Sequence, residues 1–336
     1  MSSAGRGSGI KGVQPRVRFV DLDKCLPPTP LDAKASKELA AKAAPALEAV
    51  GAGTATRAQE ATSREAIRDI LKSHGVATRD DRRKGGVRDF GFSVDRPQGM
   101  DRLAGKDPGA GSLAVHGWDG AVTVRPGEAT DAAAAFKDLA KDPSAFKNML
   151  GKEATEQLRG VATLVHEELH GASNARQTAY AFHGVAMEEA ATEILARKMT
   201  RELAGQKLTL GNADIVAFPL PVRLPAPAPN AMQPQANPLT YGSNPRVRQA
   251  YDDYIERLFT HTAEVSGHEK IHERIEEALL KTRAWDGAVT NRKVNPEGIG
   301  WGTGTNQCEA YARALGLDPA DQKKLVDRLI ADPGFR

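Results

Sequence analysis

The stretch VATLVHEELHGA, residues 161–172, decides the reading of this chain. His166 and His170 stand four apart in a run of helical character, so both imidazoles project from one face, one turn apart. Two ligands of a tetrahedral zinc ion need that geometry. Glu167, adjacent to the first histidine, is placed to take a proton from a water at the metal. Leu164, Val165 and Leu169 give the same helix an apolar side, which predicts a site held rigid within a core.

A catalytic zinc takes a third protein ligand and keeps a position open for water. The stretch GVAMEEAATEILARKM, residues 184–199, offers that ligand in Glu189, with eighteen residues between it and His170. The segment ASNARQ after Gly171 lets the chain turn and return on a second helix facing the first. Glu193 lies one turn beyond Glu189 on the same face and suits a carboxylate that accepts the other ring N–H of a ligating histidine. Glu188 competes with Glu189 for the metal but points about 100° away round the helix.

HExxH, then a glutamate on a second helix with a further acid four positions on, resembles the glutamate-type zincins, the thermolysin-like and aminopeptidase-N-like metallopeptidases. The resemblance spans roughly residues 110–205 and rests on motif rather than on overall sequence. It implies Zn2+ held by His166, His170 and Glu189, with Glu193 orienting His166 and Glu167 as general base. It implies an α+β, predominantly helical fold, with a zincin-like core, a small sheet or hairpin and a helical C-terminal subdomain. The reaction implied is hydrolysis of peptide bonds in a protein or peptide substrate. It also implies an edge strand that aligns substrate, for which GAVTVRP at 120–126 is the candidate. A donor to the oxyanion is implied as well: Tyr180 is placed similarly to a tyrosine of thermolysin-like enzymes, with Tyr241, Tyr251 and His261 as rivals.

Two features depart from that pattern. Glu168 puts a charge inside the motif where these families usually carry an uncharged residue, and no GAMEN segment for a free N-terminus is present, so an endopeptidase fits better. The alternative is a catalytically silent zincin-like scaffold serving as a structural or binding module. A second HExxH, His268-Glu269-Lys270-Ile271-His272, has charged neighbours and no apolar run before it, and reads as a solvated amphipathic helix.

The rest of the sequence bounds the function. With 40% hydrophobic and 26% charged residues among 336, the chain can bury a sizeable core. The balance of 46 basic and 43 acidic residues gives little field for attracting nucleic acid or an anionic membrane, so neither is expected as a partner. The basic run RDDRRKGGVR at 79–88 is diluted by Asp80 and Asp81 and lacks an aromatic platform. Only Cys25 and Cys308 are present, which excludes a thiolate zinc cluster and a disulfide scaffold. No apolar stretch approaches the roughly 20 residues of a membrane span, and no secretory signal opens the chain, which makes the cytoplasm the default expectation. A protein delivered by a phage or by a dedicated secretion machine would equally lack such a signal.

The expected organisation is a flexible basic arm at 1–18, a helical and β region at 19–127, a metal-binding helical core at 128–207, a Pro-rich linker at 208–245 and a helical subdomain at 246–336. Helices are expected near 31–49, 59–74, 246–263, 268–283, 305–315 and 318–331, and a hairpin around Asp119-Gly120.

Overall fold

Two alanine-rich helices lay the foundation of the N-terminal half. In α1 (Ala33–Gly51) the side chain of Asp32 accepts the Ala35 N–H at 2.7 Å and caps the start, and Leu39, Ala40, Ala43, Leu47 and Val50 form a buried stripe at three- and four-residue spacings. In α2 (Arg57–Ser73) Thr56 and Gln59 satisfy each other's backbone in a capping box, which starts the helix sharply after a short turn. Both lie within two residues of the positions that periodicity predicts. The computed structural model describes residues 29–76, 101–109, 112–117, 120–147, 152–172, 185–205, 245–288 and 303–332. The N-terminal arm at 1–18, the run at 79–88, most of the Pro-rich stretch, Cys25, Tyr180 and Tyr241 lie outside those residues.

Three short strands follow: β1 (Leu103–Gly105), β2 (Ala114–His116) and β3 (Val122–Val124), in the order β1-β3-β2. β1 runs parallel to β3, and β2 runs antiparallel to it, pairing Ala114 with Val124 and His116 with Val122. The hairpin expected around Asp119-Gly120 is therefore present, closed by the Gly117 N–H donating to the Ala121 carbonyl at 2.7 Å and by Gly120 at φ +87°. One expectation is corrected. The segment GAVTVRP carries β3, the central strand, because both of its sides are hydrogen-bonded; the edge strand that packs against the helix bearing His166 and His170 is β2.

Helix α3 (Pro126–Lys141) begins with proline at its first position, buries Ala129, Ala132, Ala133 and Phe136, and packs against α1. Helix α4 (Lys152–Ala172) lies against α3 and crosses it closely at Gly160, where a Cβ would sit 2.5 Å from the Glu128 carbonyl oxygen. Helix α5 (Val185–Leu203) packs face to face with α4. Beyond the Pro-rich stretch, α6 (Pro245–Ser266), α7 (Ile271–Ala288), α8 (Thr303–Ala314) and α9 (Pro319–Ala331) assemble on one another, with α6, α7 and α8 also reaching α5. Buried apolar side chains from Leu39 to Leu329 form one continuous cluster. The chain is α+β and predominantly helical, with one small sheet among the described residues. No helix among the described residues is long and apolar enough to cross a membrane.

Candidate metal centre

The sequence places polar groups at positions of α4 and α5 that face each other in the core, and there they converge. His166 Nε2 and His170 Nε2 are 3.1 Å apart, and Glu189 Oε2 lies 3.3 Å from the first and 3.4 Å from the second. A zinc ion bound at about 2.0–2.1 Å sets neighbouring donor atoms about 3.3–3.4 Å apart, the edge of the coordination tetrahedron. The three separations describe one face of such a tetrahedron. Among the described residues this is the one group of three His, Cys, Asp or Glu donors close enough to share an ion.

The other ring nitrogens are held as ligation requires. His166 Nδ1 donates to Glu193 Oε2 at 3.0 Å, and His170 Nδ1 donates to Glu188 Oε1 at 3.0 Å. Both Nε2 atoms face the same point, and in the neutral imidazole each would carry the lone pair there. Glu193 is itself fixed by Arg197, one turn on, whose Nε donates to Oε1 at 2.7 Å. Glu188 thus meets the Nδ1 side of His170, whereas Glu189 faces both Nε2 atoms. Arg197 was not singled out in the sequence, although its place four residues after Glu193 is the available signal.

His166, Glu167, His170 and Glu189 are each no more than 5% exposed. Burial alone would lower the histidine pKa values, but hydrogen bonds to Glu189 and Glu193 outweigh it for His166, whose pKa is pushed up to about 10. His170 moves in the same direction, against burial, through Glu189 and Glu188. Burial would raise the Glu189 pKa, yet the two histidines hold its carboxyl well below the usual carboxylate range. Protons and a metal ion therefore compete for one negatively charged pocket.

Tyr251, half-buried on α6, sets its ring edge to face on His166, with centroids 5.7 Å apart and an interplanar angle of 73°. Of the two candidates among the described residues, Tyr251 and His261, it is the one that touches His166. His261 is engaged elsewhere: its Nε2 pairs with Asp332 Oδ2 at 2.7 Å, beside Arg257 on the other oxygen, tying α6 to the end of α9.

The second HExxH differs from the solvated helix expected of it. Gly267 at φ +79° and Lys270 at φ +47° turn the chain left-handed, so α7 starts only at Ile271. His268 falls in the turn, and His272 packs on Phe259 with ring centroids 4.6 Å apart. The two imidazoles do not share a helix face.

The edge strand meets the metal helix at Gly171, immediately after His170. A Cβ there would lie 2.7 Å from His116 Nε2, so a side chain at this position would push the buried imidazole of His116 aside. Gly171→Ala is expected to destabilise the protein by about 1–3 kcal/mol, read as a lowered denaturation midpoint, and Gly171→Ala with His116→Ala to recover part of that loss. Equal midpoints for wild type and the single variant would show that the imidazole of His116 yields at no net cost.

Comparison with known protein families, with curated proteins and with solved structures finds no match for this chain.

Proposed function

We propose that the chain is a zinc-dependent peptidase, an endopeptidase acting on protein or peptide substrates. The observation that carries this reading is the triangle of His166 Nε2, His170 Nε2 and Glu189 Oε2, with 3.1–3.4 Å sides and a carboxylate behind each imidazole. Zinc held there would supply Lewis-acid polarisation of the scissile carbonyl and a water made acidic enough to attack it. Glu167 would be the group that accepts the proton of that water and returns it to the departing amine. Glu193 and Glu188 keep both imidazoles in the ligating tautomer. Tyr251 is the favoured donor to the developing oxyanion, on the strength of its contact with His166. Edge strand β2, with Val115 exposed at 42%, offers the backbone along which an extended peptide would align.

A second reading, a structural zinc module without catalysis, is favoured by the burial of every ligand. Elemental analysis of the purified protein separates the metal question from the catalytic one. About one zinc per chain is expected, lost in His166→Ala and Glu189→Ala and kept in His268→Ala. No zinc after reconstitution would sink both readings. Zinc without cleavage of any peptide would leave the structural one.

A further inference from the structure

The charge that sets this motif apart, Glu168, is buried between two arginines of α2. Arg64 Nε donates to Glu168 Oε1, and Arg68 Nε donates to Oε2 at 3.1 Å. Arg64 is 2% exposed, and its Nη1 also donates to the main-chain carbonyls of Arg102, at 3.2 Å, and Gly120. Those carbonyls stand at the entrances to β1 and β3, where the Val122 N–H donates to the Arg102 oxygen at 2.9 Å. Arg102 in turn donates through both Nε and Nη2 to Glu60. Glu60, Arg64 and Arg68 recur at every fourth residue and form one inward stripe along α2.

Stability alone does not account for such a stripe, since a buried ion pair seldom outperforms apolar packing of the same volume. What a planar guanidinium adds is direction, because its donors fix several acceptors relative to one another. Here the acceptors are a carboxylate on the metal helix, two residues from each histidine ligand, and two carbonyls at one end of the sheet. Gly120 belongs to the turn that joins β2 to β3, and β2 ends at His116, against Gly171. The clamp thus spans from the helix that carries the ligands to the hairpin that carries the edge strand.

We propose that Arg64, acting through Glu168, is a positioning residue that fixes the β2–β3 hairpin at a set distance and angle from the metal ligands. The catalytic consequence rests on the peptidase reading: without the clamp an extended substrate still binds the strand, but its scissile carbonyl lies off the metal.

The test uses the full-length, zinc-loaded protein with Glu168→Gln and, to avoid stranding a buried charge, the double variant Arg64→Met with Glu168→Leu. Amide hydrogen exchange at Gly117, Val122 and Arg125 is expected to speed up by about tenfold or more, with α1 and α9 unchanged. Zinc stoichiometry and the visible spectrum of the cobalt-substituted site should stay as in wild type. On a mixture of internally quenched peptides, kcat should fall by about 10²-fold with KM little changed. Wild-type exchange at the hairpin would overturn the proposal, as would acceleration spread evenly through α1 and α9, which marks a general loss of stability. If zinc-loaded wild type cleaves no peptide, the peptidase reading fails, and the exchange result still decides the clamp.

Discussion

Glu167→Gln is expected to bind about one zinc per chain, as wild type does, and to lose about 10²- to 10⁴-fold in kcat for peptide hydrolysis. Glutamine keeps the shape of glutamate and one acceptor oxygen but cannot carry away a proton at neutral pH. Glu167 is not among the three donors of the metal triangle, so its replacement leaves the ligand set intact. It is buried at 3% exposure, next to His166 in the sequence of α4. The measurement pairs elemental zinc with progress curves on one substrate. Loss of zinc in the variant would mean that the side chain holds the site together. Full metal with activity within about tenfold of wild type would give the proton transfer to another group.

The helix carrying His166 and His170 is legible because two periodicities coincide in residues 161–172: histidines one turn apart, and Leu164, Val165 and Leu169 facing the core. Glu189 and Glu193 were legible for the same reason, since one helical turn relates them. What escaped the sequence depends on contacts between distant segments. Glu168 looked like an anomaly of the motif, because its partners Arg64 and Arg68 lie about a hundred positions away and belong to a helix that reads as an ordinary amphipathic one. Burial would raise its pKa, but those two guanidinium groups hold the carboxyl below its ordinary value. Likewise β3 showed the alternation of a half-buried strand, and nothing in that pattern tells a central strand from an edge. Only the pairing of Leu103–Gly105, three residues with no strand signature, makes β3 central. The helix start at 271 rather than 268 was missed because Lys270 takes a left-handed conformation that its residue type does not announce.

Glu193→Ala is expected to be the most damaging substitution outside the metal triangle, and in two separable ways. Arg197 is fully buried and donates to Glu193 Oε1, so removal of that carboxylate strips a buried cation of an acceptor at a cost of about 3–5 kcal/mol. The same change frees His166 Nδ1, so the ring no longer prefers the tautomer that ligates through Nε2, and zinc affinity should fall by about 10–100-fold. Denaturant unfolding of the metal-free protein reads the first effect, and competition against a chromophoric chelator reads the second. Adding Arg197→Met should recover much of the lost stability, because the buried cation is gone, while leaving zinc binding weak, because the carboxylate on His166 Nδ1 is still missing. Glu193→Gln should do the converse in part, keeping an acceptor for His166 but weakening the hold on Arg197. If stability and zinc affinity instead fell and recovered together through this series, Glu193 would act only on the fold, and the claim that it orients a metal ligand would have to be withdrawn.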